Sequence, residues 1–365
     1  MSGRLKLVFV GLSLSSSWGN GHATTYRSLL RGLAVFGHEV HFFERDVPWY
    51  AAHRDLEEPD FCALHLYRDL DGLRGLLAQH DDADALVVGS YVPEGVEAID
   101  LAARVGAPIL GFYDIDTPVT LARLDAGDEE HLARRQVPLF DLYFSFSGGG
   151  VLGRLESRYG ARHALALYCS VDPASYAPTG EAIEWDLGYL GTYSPDRQPA
   201  LERLLIGPAR RLKHRRFVVA GPQYPAGIDW PENVERIEHL PPAAHASFYG
   251  RQRLTLNVTR ADMIACGFSP SVRLFEAAAC GTPIISDRWQ GLTELLPEDE
   301  AIVIADGAED VMRALEEMPE PRRAHIAETA RRRVLAHHTG EARARELVDA
   351  VLSSRPQPQE RRRSA

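Results

Sequence analysis

The chain predicts an α/β protein made of two doubly wound parallel sheets, and three observations carry that expectation. Its apolar runs are short and continuous rather than alternating, as strands buried on both faces require. Helical patterns separate most of them. The alternation breaks once, at the polar, Pro-containing "YCSVDPASYAPTGEAIEWD", and then resumes.

Taken in order, "LKLVFVGL" reads as a buried strand and "TTYRSLLRGLAVFG" as an amphipathic helix stopped by Gly37. "HEVHFFE", "DALVVGS", "APILGFYD" and "DLYFSFS" follow as strands. After the connector come "LGYLG", "RFVVAGP", "VERIEHL", "LTLNVTR", "TPIISD" and "AIVIA", with helical patterns near 197–206, 243–250 and 270–280. Helices from about 307 to 352 close the chain. The expected domains are 1–175 and 176–335, with a closing helix at 336–353 and a solvated tail at 354–365. Ligands in such sheets bind beyond the carboxyl ends of the strands, so the cleft between the domains is the expected site.

Composition narrows the class. The chain has 365 residues, 45% hydrophobic and 25% charged, enough for two ordinary globular domains. A formal net charge of −11 argues against a nucleic-acid surface, and the basic run "RRRSA" at the C-terminus reads as a solvated tail. No apolar stretch is long enough to span a bilayer. The N-terminal "MSGRLKLVFVGLSL" lacks a cleavage pattern, so no leader is expected and the cytoplasm is the expected compartment. Cys62, Cys169, Cys266 and Cys280 are too scattered for a zinc site or a disulfide framework.

The most informative stretch is "CGFSPSVRLFEAAACGTPIISD" (266–287). Ser269 reads as an N-cap, Pro270 as the first helical residue, and Gly267 as a point of close backbone approach. A helix start suits a phosphate, Arg273 can add a charge-assisted fork, and Glu276 can accept two hydrogen bonds from a ribose diol. The plain alternative is a capped helix whose Arg273 and Glu276 pair with each other. Other polar loops fall at strand ends on the same side of the sheet: Gly191, Thr192, Tyr193 and Arg197; Gly221 and Gln223; Asn257 and Arg260; Ser271; Gly291 and Leu292. Together they make a nucleotide pocket.

In the first half, "SSSWGNGHATTYRSLL" fails as a dinucleotide fingerprint, because Thr24 stands where the third Gly belongs and the loop is too long. Glu44 would nonetheless suit a ribose. His22 opens the first helix and can act as a base. Asp114 and Asp116 follow a strand end and can hold a proton or, less readily, a divalent metal; Asp116 can also cap the next helix.

"RLFEAAACGTPIIS" resembles the donor domain of GT-B glycosyltransferases, and with "NVTRADM", "LGYLGTYSPDRQ" and "FYDIDTP…DLYFSFSGGG" it looks like the CgeB-type (spore-maturation) branch. The resemblance spans about residues 5–350. It implies two Rossmann-like domains facing a cleft and metal-independent transfer of a sugar from a nucleotide diphosphate-sugar to an acceptor hydroxyl on a glycan, lipid-linked or small molecule. No cofactor, metal, nucleic-acid partner or membrane span is implied. Glu276 then binds the ribose, Arg197, Arg260 or Arg273 stabilises the departing diphosphate, and Asn20 and Gly21 belong to the loop beside the donor. His22, or else Asp114 or Asp116, is the candidate base. The "E-G-F-G" carboxylate of many retaining members is missing: Phe268 lies eight residues before Glu276 and Cys266 precedes "GF". The stereochemistry stays open. Other readings are a nucleotide-sugar epimerase, a non-catalytic nucleotide-sugar-binding protein and, last, a dinucleotide-dependent oxidoreductase.

Overall fold

Continuous apolar runs become two parallel sheets in the computed structural model, which describes residues 3–18 and 21–355. The chain divides into two units: one runs to Ser170 and resumes at Thr339, and the other is Val171–His338. The divisions lie at 170/171 and 338/339, where the sequence suggested 175/176 and 335/336. Asn20, expected near the donor, lies outside the described residues.

The first unit holds seven strands: β1 (Lys6–Gly11), β2 (Glu39–Arg45), β3 (Ala63–Tyr67), β4 (Ala85–Gly89), β5 (Leu110–Asp114), β6 (Leu142–Ser145) and β7 (Ala164–Ala166). Their order is β3-β2-β1-β4-β5-β6-β7, all pairings parallel. The central strands are sealed: Leu7, Phe9 and Val87 join Tyr26, Leu29, Leu30 and Leu33 of the helix His22–Val35 in one core. β3 and β7 were not foreseen. β3 is a half-exposed edge strand and β7 has three residues, so neither shows the continuous apolar run of a central strand.

The last helix, Gly340–Ser354, returns to this unit after the second has been completed. Thr339 caps it by accepting from the Ala342 N–H at 3.2 Å. It crosses His22–Val35 where two glycines let the backbones meet: a Cβ on Gly32 would lie 2.3 Å from the Gly340 carbonyl oxygen, and one on Gly340 would lie 2.0 Å from the Ser28 carbonyl oxygen. Leu347, Val348 and Val351 fill the core beside that crossing.

The second unit holds β8 (Trp185–Leu190), β9 (Phe217–Ala220), β10 (Val234–Ile237), β11 (Gln252–Asn257), β12 (Ile284–Ser286) and β13 (Val303–Ile304). Their order is β10-β9-β8-β11-β12-β13, again parallel throughout. Both sheets therefore reverse strand order beside their first strand, between β1 and β4 and between β8 and β11. That is where a ligand crevice opens at the carboxyl ends. Among the described residues no helix is long and apolar enough to cross a membrane.

The glycine crossing sets a stability test. Gly32→Val forces the last helix off the first, and overpacking of this kind costs about 1–3 kcal/mol. Urea unfolding of the variant should show a lower midpoint; an unchanged midpoint would mean that the crossing relaxes without cost.

Candidate active site

The reversal between β8 and β11 is bridged by Arg273. Its Nε donates to the Leu190 carbonyl at the end of β8, and its Nη1 donates to Asn257 Oδ1 at the end of β11 at 3.1 Å. The guanidinium carbon lies 5.1 Å from the Tyr189 ring centroid. Arg273 belongs to the helix Val272–Ala279, whose N-cap is Ser271 and not Ser269 as the sequence suggested. Ser269 is fully buried and donates to the Gly267 carbonyl at 2.8 Å, which leaves Pro270 ahead of the helix rather than inside it. Ser271 does not cap with its side chain either, because its hydroxyl goes to Asn257 Oδ1 at 2.9 Å. The first turn thus carries the positive end of the helix with no side-chain cap over it.

Arg197 and Arg260 lie close to Arg273. Arg197 is only 8% exposed; one Nη donates to the Thr192 carbonyl, while its Nε is buried without a partner. Burial lowers the pKa of this guanidinium, and the charges of Arg273 and Arg260 lower it further. Arg260 is exposed at the start of the helix Ala261–Cys266. Among the described residues none of the three arginines has a carboxylate partner within ion-pair distance. A buried cation in that state, as Arg197 is, needs an anion, because the lost hydration is otherwise uncompensated.

The glycine loops form the floor. Gly221 takes φ +141°, and a Cβ there would lie 2.1 Å from the Gly191 carbonyl oxygen, so the turns after β8 and β9 touch through bare backbone. Tyr224 donates to that same oxygen at 3.1 Å, and the Tyr193 N–H donates to the Pro222 carbonyl at 3.0 Å. Gln223 and Phe268 hold positive φ, +69° and +47°, without being glycine. Strain of this kind clusters at binding loops. The Phe268 ring fits against Gly291, while the Leu292 side chain is wholly core, so only its backbone is on offer to a ligand.

Glu276 makes no ion pair with Arg273, so the plain reading of two paired helix residues does not hold. Its carboxylate is buried and accepts from the Tyr249 hydroxyl at 3.2 Å. The Tyr176 hydroxyl lies 3.3 Å from His245 Nδ1, and both tyrosines are pushed well above their usual pKa, by burial first and then by the Glu276 carboxylate. Sequence reasoning passed over Tyr176, Tyr249 and Tyr189, since an aromatic in a buried run carries no sign of its hydroxyl's partner.

In the first unit, His22 and Asp116 meet: His22 Nε2 and Asp116 Oδ2 are 2.9 Å apart. Asp116 occupies the N-cap position of the helix Thr117–Ala126, yet its side chain does not cap. A carboxylate can only accept, so His22 Nε2 carries the proton and Nδ1 holds the lone pair. Nδ1 is buried with no partner. Tyr91, at φ +61°, packs its ring edge-on 5.8 Å from His22, and burial, then Asp116, pushes its hydroxyl up to about 12.

Asp114 is placed differently. It is fully buried, accepting from Thr120 Oγ1 at 2.7 Å, the Asp116 N–H at 3.3 Å and the Tyr143 hydroxyl at 2.7 Å. Burial raises its pKa to about 6. It anchors the turn that aims Asp116. Glu44 is also fully buried and is no ribose acceptor: it takes the N–H groups of Leu14 and Ser15 at 2.6 and 2.8 Å and the Ser15 hydroxyl at 2.6 Å.

A family model described as glycosyl transferase-like matches residues 197–349. No curated protein matches the chain by sequence. Solved structures do match by fold. Sucrose-phosphate synthase from Thermosynechococcus elongatus is 14% identical with a TM-score of 0.63, covering 95% of this chain and 98% of its own. HepE from Anabaena in complex with UDP-glucose is 13% identical with a TM-score of 0.64, covering 96% and 100%. An α-glucosyltransferase in complex with UDP-glucose and DNA containing an abasic site is 13% identical with a TM-score of 0.68, again covering 96% and 100%. The fold is the α/β GT-B fold of these structures.

The burial of Asp114 makes a signed prediction. Its pKa is about 6 in the folded chain against about 3.9 unfolded. Between those values the folded state holds more protons, so this group's contribution to stability falls as pH rises through the window. The stability of wild type minus that of Asp114→Asn should therefore drop by up to about 3 kcal/mol from pH 4 to pH 7. Urea titrations at each pH read it, and a flat difference would show that Asp114 ionises in the fold as freely as in water.

Proposed function

We propose that the protein is a glycosyltransferase that moves a sugar from a nucleoside diphosphate-sugar to an acceptor hydroxyl. The observation that carries this reading is the trio of unpaired arginines at the β8/β11 reversal, beside a helix start without a side-chain cap. A diphosphate supplies the missing counter-charge. Glu276, four residues past the helix start and held by the Tyr249 hydroxyl, takes the ribose diol; Gly191, Thr192, Gly221 and Gln223 bring backbone up to the nucleotide. Within the superfamily we place the chain in the CgeB-type branch on its 257–287 block.

The step needs two services. As the acceptor oxygen bonds to the anomeric carbon, the bond from that carbon to the diphosphate breaks and negative charge grows on the leaving group. Arg197, Arg260 and Arg273 stabilise that charge, which is the largest effect available to such a site. The acceptor's proton passes to the His22–Asp116 pair, in which Asp116 at Nε2 steadies the imidazolium that forms. With cationic side chains on the diphosphate, the transfer is metal-independent. HepE in complex with UDP-glucose makes UDP the first donor nucleotide to try. The net charge of −11 argues against a nucleic-acid acceptor.

Two tests follow from this assignment. Of UDP, GDP and dTDP with EDTA present, one should raise the melting temperature; at a hundred times its Kd it adds about 2.7 kcal/mol. Arg197→Met and Arg273→Ala should lose that shift, while ligand-free Arg197→Met should melt no lower than wild type, since a buried unpaired charge has been removed. Binding by both variants like wild type would refute the diphosphate site. His22→Gln should keep nucleotide binding yet transfer about 10²–10⁴-fold more slowly; transfer at the wild-type rate would remove His22 as the base. Product analysis with donor alone separates transfer from epimerisation.

A further inference from the structure

Three histidines of the first unit converge away from the residues described above. His41 lies on β2, His65 on β3, and His80 two residues past the helix Leu70–Ala78. One ring nitrogen from each lies within 4.8 Å of the others, and all three rings are half-buried. His41 Nδ1 and His65 Nε2 are 3.1 Å apart. Tetrahedral zinc with bonds of about 2.0–2.1 Å spaces its nitrogens about 3.4 Å apart, so small ring rotations would close the set.

The outer contacts fix which nitrogens face inward. His41 Nε2 lies 3.0 Å from Glu39 Oε1, and His80 Nδ1 lies 2.9 Å from the Leu76 carbonyl oxygen. Both partners only accept, so each ring must donate there, and in the neutral ring the other nitrogen carries a lone pair. A carboxylate behind one imidazole and a carbonyl behind another is the usual support for metal-bound histidines. Phe43 packs edge-on against His65 and His80, 5.2 Å from each, and gives the cluster an apolar wall.

The geometry points to a three-histidine site for a divalent transition metal, zinc by its nitrogen ligands, with water as the fourth ligand. It lies toward the amino ends of β2 and β3, whereas His22 and Asp116 follow carboxyl ends, so the metal is structural and takes no part in sugar transfer. It would tie the weakly buried edge strand β3 and the helix after it to β2, closing about forty residues of chain.

The test is direct. Chelator-stripped wild-type protein is dialysed against micromolar free Zn²⁺, and bound metal is counted beside His65→Ala and His80→Ala. One zinc per chain and a raised melting temperature are expected for wild type, with both lost in the variants; Co²⁺ alone should give the visible bands of a tetrahedral ion. Wild type that binds no zinc, or variants that keep it while circular dichroism shows them folded, would overturn the assignment. Should an alanine variant fail to fold, His80→Gln, which keeps a polar side chain there, serves in its place under the same criteria.

Discussion

A single guanidinium spans the ends of β8 and β11, adjacent strands whose following loops the topology of the second sheet sends opposite ways. Arg273 reaches the last carbonyl of β8 and the Asn257 side chain at the end of β11. Asn257 is in turn fully engaged: its Oδ1 accepts from Arg273 and Ser271, and its Nδ2 donates to Thr259 Oγ1 at 3.2 Å and Ser286 Oγ at 2.9 Å. Asp287 then holds Thr259 through its N–H at 2.9 Å and its hydroxyl at 2.7 Å. A buried amide satisfied on every side has one orientation only, so this network fixes where the helix Val272–Ala279 begins. A lysine could not do the same, because a point charge cannot span two acceptors in a plane.

The same network explains why the pocket is cationic in an acidic protein. The chain carries a net charge of −11, and most of its arginines find carboxylates on the surface, as Arg135 does with Asp100 and Arg288 with Glu298. Exposed pairs of that sort contribute little stability. Arg197 at the β8/β11 reversal is the opposite case: it is buried and its Nε has no partner. Folding tolerates this imbalance because the sheet core beneath is dense, with Leu187, Tyr189, Leu254 and Leu256 sealed in one cluster. Under the proposed function, binding of an anion recovers the hydration lost on burial, so affinity depends on charge more than on contact area.

Much of this was legible in the residues. Continuous apolar runs announced eleven of the strands, since a strand covered on both faces must be apolar throughout. The two it did not announce are β3, whose edge position lets exposed residues in, and β7, which is too short to make a run. The loop residues at the strand ends were legible for a related reason: the parallel topology puts every turn that follows a strand on the same, carboxyl side. The cap of the Val272–Ala279 helix was not, because Ser269 and Ser271 are both good caps and only the position of Asn257, fourteen residues away in sequence, chooses between them. The histidine cluster was equally silent, since His41, His65 and His80 come from three elements with no fixed spacing.

The two sheets also show why one topology does two jobs. In each, a loop leaves the first strand at the reversal point and must be held by something polar. In the first unit Glu44 does this from the end of β2, and its carboxylate is occupied by the N–H groups of Leu14 and Ser15. In the second unit Arg273 does it from a helix, leaving the far side of its guanidinium turned toward two other cations. A carboxylate used in this way cannot also bind a ribose, and its charge repels a phosphate. The choice of holding residue therefore leaves the first crevice without a free carboxylate for a ribose and, under the proposed function, suits the second to a diphosphate. Under the same proposal it leaves His22 and Asp116 of the first unit for proton chemistry.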